Sequence, residues 1–213
     1  MKSISDVRLD APAFHRNHAP IWSVLSPSLQ DRRGDALELG SGSGQHIVEF
    51  ARRTPQITWW PSDIDAESLG SIAAWREHAQ LANLHPPLRI DIAQANWSAG
   101  NGKLPAFLSI LCFNVIHIAP WQVAEGLFAG AARHLRGDGR LFVYGPFMRN
   151  GKHTAPSNAA FDKSLRRQDP RWGVRDLADV AALAERCKLA LADIVEMPTN
   201  NLTLVFERSA KAA

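Results

Sequence analysis

The 213-residue chain predicts an α/β fold: a doubly wound, mostly parallel, seven-stranded sheet with an antiparallel C-terminal strand. Three observations predict it. Short apolar or β-branched runs alternate with helical periodicities through most of the chain. The run "AFLSILCFN" (106–114) is apolar almost throughout, as expected of a strand covered on both faces. The glycines of "ALELGSGSGQ" (36–45) fall where a first strand hands over to a first helix. In such sheets crossovers are right-handed, and ligands bind beyond the carboxyl ends of the strands.

The elements follow in order. "APAFHRNHAPIWSVLSPSL" (11–29) is a helical lead-in with Ile21, Trp22, Leu25 and Leu29 on one face, limited by Pro20 and Pro27. "DALEL" (35–39) is a strand and "QHIVEFARR" (45–53) a helix ended by Pro55. "ITWW" (57–60) is a strand, and residues 66–81 form a helix with Asp65 as N-cap. A short strand, "PLRID" (87–91), precedes the apolar 106–114 strand. Residues 121–136 are helical, with Pro120 at the start and Gly137 past the end. "GRLFVYG" (139–145) is a strand, 175–189 a helix, and "LADIVEM" and "NLTLVFER" a closing antiparallel pair joined by "PTN". Segment 147–174 is long and polar for a connection, and insertions of that length either serve a purpose or are disordered.

Composition bounds the function. At this length, with 46% hydrophobic residues, one domain spanning 1–213 is expected. The net charge of +3 is too small to argue for nucleic acid. Two cysteines, Cys112 and Cys187, read as reduced thiols rather than a disulfide framework. No signal core or membrane-spanning run is visible, so a soluble cytoplasmic protein without a membrane partner is expected. His46 and Glu49 share a helical face but lack a third ligand, so no metal site is expected. "GSGSG" does not fit a nucleophile elbow.

The glycine loop narrows the ligand. Gly40, Gly42 and Gly44 allow positive φ and a close backbone approach, and the helix start offers free N–H groups. A dinucleotide fingerprint needs Gly or Ala at position 45, which is Gln. A P-loop needs a Lys that the loop lacks. Instead three acids, Glu38, Asp63 and Asp91, fall at the carboxyl ends of adjacent strands. They suit a ligand with a ribose diol, an adenine amino group and a positive charge.

"ALELGSGSGQ", "PSDID", "LRIDI" and "LCFNVIHI" resemble the ordered motifs of class I S-adenosylmethionine-dependent methyltransferases. From "HRNHAPI" to "NNLTLVF" the chain also resembles the methyltransferase-like protein 26 group, with "YGPF" and "SNAAFDKSL" as the most specific pieces. The resemblance implies a Rossmann-like methyltransferase fold, S-adenosylmethionine as cofactor and S-adenosylhomocysteine as product. It implies that Gly40, Ser41, Gly42 and Gly44 line the methionine part of the cofactor, with Glu38 orienting the loop. Asp63, with Ile64, would hold the ribose hydroxyls, Asp91 and Ile92 would face the adenine, and Asn114 would lie beneath the methionine end. The family motif carries Gly and an apolar residue where this chain has "PS", which leaves Asp65 as an alternative to Asp63. Asp63 is favoured because Asp65 is the better N-cap. The family's habit of an N-terminal lid points to 11–30, with Arg16 and Asn17 toward the acceptor.

For the reacting end, His117 is the candidate base, three residues past Asn114; its alternative role is a hydrogen bond to backbone. Tyr144, Trp121, Arg149, His153 and Trp172 are candidate acceptor contacts, and core packing is the alternative for the first two. Segment 149–175 holds seven basic and two acidic residues, a surplus that suits an anionic acceptor or a solvated face. The expected activity is methyl transfer to a small-molecule acceptor, with no nucleic-acid partner. A protein or RNA methyltransferase, and a non-catalytic cofactor-binding protein, are the alternatives.

Overall fold

The structure, a computed structural model, describes residues 7–100 and 102–209. Its elements are α1 (Pro12–Leu29), β1 (Gly34–Leu39), α2 (Gln45–Arg53), β2 (Ile57–Asp63), α3 (Ala66–Ala79), β3 (Leu88–Arg89), β4 (Phe107–Phe113), α4 (Trp121–His134), β5 (Leu135–Gly145), β6 (Phe147–Arg149), β7 (Lys152–His153), α5 (Pro156–Gln168), β8 (Arg175–Asp176), α6 (Leu177–Arg186), β9 (Leu189–Met197) and β10 (Asn201–Arg208). Seven strands form one sheet in the order β3-β2-β1-β4-β5-β10-β9. β10 is antiparallel to both β5 and β9, so it is the reversed strand and β9 runs with the others.

Strand order reverses at β1, which pairs in parallel with β2 on one side and β4 on the other. A crevice at the carboxyl edge follows from that reversal. Register sets what lies there. Leu39 is level with Ser62 and with Cys112, so Gly40, Asp63 and Asn114 emerge along the same edge. Asp63 is in turn level with Arg89, which brings Ile90 and Asp91 to that edge.

All seven residues of β4 are buried, because both faces of the sheet are covered. Ile110 and Cys112 face a layer built from α4 and α6, including Leu127, Phe128 and Val180. Leu111 and Phe113 face the opposite layer, with Ile21 and Leu25 of α1 and Phe50 of α2. Cys112, buried, and Cys187, half-buried, are both free thiols.

Several expectations are corrected. α4 ends at His134, not 136, and β5 begins at Leu135, so Gly137 lies inside a strand. Pairing of Leu135 with Phe107 extends the strand back through the glycines. Pro20 and Pro27 lie within one 18-residue helix rather than limiting it. An internal proline costs about 3 kcal/mol, and burial of Ile21, Leu25 and Leu29 against the sheet offsets it. α3 stops at Ala79, with Gln80 left-handed as its cap, and the Asp65 side chain accepts from Ser68 N–H as its N-cap. Insertion 147–174 is ordered: it holds α5 and, with β8, makes a small sheet in the order β7-β6-β8.

Candidate functional site

Two cavities open at the carboxyl edge, of about 470 Å³ and about 350 Å³. The larger is walled by the glycine loop, the ends of β2 and β3, and Ala13 and Phe14 of α1. The smaller lies beside it, beneath α1 and α5. Ala13, Asn114 and Ile118 line both, so the cavities share a wall.

The loop owes its shape to three left-handed glycines, with φ of +68° at Gly40, +55° at Gly42 and +88° at Gly44. Their surroundings differ. A Cβ on Gly40 would lie 2.6 Å from the Val115 side chain, and one on Gly44 would lie 3.0 Å from the Ile72 backbone. A Cβ on Gly42 would meet nothing within 4 Å, because that residue faces the larger cavity. Asp63 fixes the loop from the neighbouring strand. Its Oδ2 accepts from Gly42 N–H at 2.9 Å, and its Oδ1 accepts from Ile64 and Asp65 N–H at 2.8 and 3.0 Å. Asp63 and Ile64 both line the larger cavity.

Glu38 is 2% exposed, and its Oε2 has no hydrogen-bond partner among the described residues. Burial, with the Asp63 charge adding, raises its pKa to about 8. A carboxyl group so placed in a cavity wall suits a cationic group arriving from solvent. Asp91 and Ile92 line the same cavity, and Asp91 Oδ1 accepts from Ala93 N–H at 3.0 Å. Ser41 lines it too and donates through Oγ to the Glu38 carbonyl at 3.3 Å. Gly44 does not reach it; the loop's last glycine serves the packing of α2 on α3.

Asn114 holds a left-handed φ of +58° and donates from its N–H to the Tyr144 carbonyl at 2.8 Å. That conformation turns the chain sharply after β4 and sets Asn114 between the cavities. His117 is 3% exposed and lines the smaller cavity, with Phe161 edge-on at 5.6 Å. Burial, then the nearby Arg175, lowers its pKa to about 4, so the ring is neutral at physiological pH. Tyr144, Arg16 and Asn17 also line the smaller cavity. The Tyr144 hydroxyl accepts from Asn201 Nδ2 at 2.9 Å, and burial raises its pKa.

Four other candidates lie outside both cavities. Trp121 and the Arg175 guanidinium, 5.7 Å from its ring, line a separate cleft against α6. Arg149 pairs with Glu196, and His153, 3.7 Å from Asp162, lies beside it in another groove. Trp172 lies in the turn after α5 and lines neither cavity. Four of the seven basic residues of 149–175, Arg149 among them, are engaged within the chain. Arg166 meets Asp162, Arg171 meets Asp169, and Arg175 donates to the Ile116 and Ala119 carbonyls.

The sequence reading weighed His46 only as a metal ligand and did not pick out Phe14, Phe113, Val115 and Val123 of the larger cavity, or Asn158, Phe161, Thr199 and Asn201 of the smaller, as site residues. The segments "YGPF" and "SNAAFDKSL" carry a signal for part of this, since they contain Tyr144, Pro146, Asn158 and Phe161. Gln45 has a role of its own. Its Oε1 accepts from Ala11 N–H at 2.7 Å and from Ser43 Oγ at 2.9 Å, and its Nε2 donates to Asp10 at 2.7 Å. Leu9 N–H donates to Ser71 Oγ and Trp75 Nε1 to the Leu9 carbonyl, at 2.8 and 3.0 Å. The segment leading into α1 is thus tied across the loop.

No helix among the described residues is long and apolar enough to cross a membrane. No group of three or more His, Cys, Asp or Glu among them is arranged to hold a metal ion.

Comparison with solved structures shows the fold of the class I methyltransferases. An O-methyltransferase family protein from Burkholderia thailandensis matches with a TM-score of 0.77 at 17% identity, over 93% of this chain and 58% of that one. The pyocyanin biosynthetic protein PhzM matches with a TM-score of 0.69 at 18% identity, over 90% and 55%. CalO1, a methyltransferase in calicheamicin biosynthesis solved with S-adenosylhomocysteine bound, matches with a TM-score of 0.67 at 14% identity, over 90% and 54%. The chain spans less than three-fifths of the length of each. A family model, described as a protein of unknown function (DUF938), matches residues 8–208, and the chain therefore belongs to the DUF938 family.

Proposed function

We propose that the protein transfers a methyl group from S-adenosylmethionine to an oxygen of a small, anionic acceptor. The observation that carries this is the pair of cavities meeting at Asn114. One is walled by an acid-flanked glycine loop with an unpartnered buried carboxyl oxygen, and the other is donor-rich and beside a neutral imidazole. The fold shared with CalO1 and the motifs resembling the methyltransferase-like protein 26 group support the same reading.

The residues fit the cofactor. Gly42 leaves space against the loop backbone, and Glu38 offers an unpartnered oxygen to an ammonium or sulfonium charge. Asp63 would hold the ribose diol with the lone pairs its three backbone partners leave. Asp91, Ile92 and Ile64 would flank the adenine. Bound there, S-adenosylmethionine supplies a methyl carbon on a sulfonium, a neutral thioether being the leaving group.

The protein's part is alignment. Asn114, Ala13 and Ile118 form the wall through which the acceptor oxygen must meet the methyl carbon. His117, neutral and without an orienting carboxylate, accepts the acceptor's hydroxyl proton as a hydrogen bond and takes it as the new bond forms. α1, tied down through Gln45, acts as the lid, and the whole chain serves as one domain, with α5 and the small sheet closing the acceptor side. The engaged arginines of 149–175 speak against a docking surface for protein or RNA.

Calorimetry with S-adenosylmethionine tests the reading. Binding in the micromolar range that Asp63→Ala weakens is expected, and no binding at millimolar cofactor would overturn it.

A further inference from the structure

The smaller cavity shows a one-sided choice of charge. Its lining includes no Asp and no Glu, and a single cation, Arg16. Arg32, Arg52, Arg53, Arg136, Arg149, Arg166 and Arg171 each have a carboxylate partner among the described residues. Arg16 has neither a hydrogen bond nor an ion pair with any described residue.

Tyr144 supplies a second, independent observation. Its hydroxyl oxygen accepts from Asn201 Nδ2 at 2.9 Å, and Asn17 lines the cavity beside it. Asn17 Oδ1 meanwhile faces His46 Nε2 at 2.8 Å, so the Asn17 amide N–H groups are also donors at this cavity. With that donor already on its oxygen, the phenol still has its proton to give to a ligand. The Arg16 charge is felt at the same phenol. A guanidinium and a hydroxyl with a proton to give therefore line one cavity that has no Asp or Glu among its described residues.

We infer that Arg16 and Tyr144 together seat a carboxylate of the acceptor, so that the substrate class is a monoanionic carboxylic acid rather than an amine or a phosphate ester. The guanidinium fork matches two carboxylate oxygens, and the Tyr144 hydroxyl completes the set on one of them. One cation balances one negative charge; a phosphate dianion would leave a charge uncompensated. An ammonium would meet Arg16 with no carboxylate to pair with it. The exposed face of Phe161, 40% accessible, with Pro146 and Pro198, offers an apolar bed for a flat ring. The cavity of about 350 Å³ holds a single-ring acid. This deepens the methyl-transfer reading and rests on it only in calling the bound acid an acceptor.

The test uses the full chain with S-adenosylhomocysteine present and a panel of single-ring carboxylic acids, each matched by its carboxamide, its aminomethyl analogue and its phosphate ester. Affinities are read by ligand-observed NMR and calorimetry. At least one acid should bind about tenfold or more tighter than its three matched analogues. Arg16→Gln should weaken that acid by about ten- to a hundredfold, Arg16→Lys by less, and Tyr144→Phe by about three- to tenfold, with the carboxamide unchanged. Melting temperatures check that each variant folds; if Tyr144→Phe does not, the Arg16 pair decides. Equal binding of acid and carboxamide, equal loss of both in Arg16→Gln, preference for the amine or phosphate, or no binding across the panel at millimolar concentration would each overturn the carboxylate seat. If the acid binds with this pattern while S-adenosylmethionine does not bind, the seat stands and the methyl-transfer reading falls. If the cofactor binds and the pattern fails, the reverse holds.

Discussion

Asp63 Oδ2 accepts from the backbone N–H of Gly42 at 2.9 Å, so the last residue of β2 holds the loop that follows β1. The same carboxylate also takes two N–H groups of its own turn. Its loss therefore acts on the loop as well as on a ligand. Asp63→Ala should lower S-adenosylmethionine affinity by about ten- to a hundredfold and lower the melting temperature too. Asp63→Asn, which keeps one acceptor oxygen, should recover part of the stability and little of the affinity. Calorimetry and thermal unfolding separate the two effects.

The glycines should divide by what surrounds them. Gly42→Ala strains a left-handed position by about 1–2 kcal/mol but meets no neighbour, so it should fold and bind cofactor weakly. Gly44→Ala adds a contact at 3.0 Å to the Ile72 backbone and should lose more stability than Gly42→Ala. Reversal of that order in thermal melts would remove the assignment of Gly42 to the cavity face.

Glu38 should make the fold less stable as pH rises. Its folded pKa of about 8 lies above the unfolded value of 4.5, so the native state holds a proton that the unfolded state has released. Stability should fall between about pH 4.5 and 8. Glu38→Gln should remove that slope and melt higher at pH 8, by up to a few kcal/mol in unfolding free energy. The same variant should bind the cationic cofactor about tenfold or more weakly. Urea unfolding at pH 5 and 8, with calorimetry, checks both halves.

His46 and His117 act in the opposite direction. Burial is the main cause that brings both to about 4, with His18 acting on His46 and Arg175 on His117. The unfolded state takes up protons first as pH falls, so stability should drop from about pH 6.5 toward 4. Turnover, by contrast, should stay level through pH 6.5, because His117 is already neutral there. His117→Asn should reduce turnover by about a hundredfold or more with cofactor binding kept. A rate profile with a midpoint near 6.5 would argue against this His117 environment.

Gln45→Ala should loosen residues 8–11. Three hydrogen bonds converge on that side chain, and their loss should cost about 1–3 kcal/mol. Limited trypsin digestion should then cut sooner at Arg8 or Arg16, while digestion elsewhere is unchanged.

Local pattern made much of this legible. The 106–114 run announced a doubly covered strand because burial on both faces removes polar alternation, and β4 is buried along its whole length. The glycine loop and Asp63 were legible because strand ends and turns leave short-range signals. Asn201 was not, and Asn158 and Phe161 were marked only by the "SNAAFDKSL" segment without a place at the site, since only the fold brings α5 and β10 beside Tyr144. Trp121 and His153 misled for a related reason. Closeness along the chain to a strand end does not say toward which side a side chain turns, and both turn to grooves away from Asn114. Gln45 was read by what it excludes. Its positive role, holding Ala11 across 34 positions of chain, lies in a contact no spacing rule describes.

Ala13 belongs to both cavities, and the helix that carries it is tied to the loop beneath. A ligand that orders α1 from one side spares the second ligand part of that ordering entropy. Linkage then requires the benefit to be mutual: whatever factor the first ligand adds to the affinity of the second, the second returns to the first. If ligands in the two chambers each order this helix, their occupancies become interdependent and the half-filled protein is the disfavoured species.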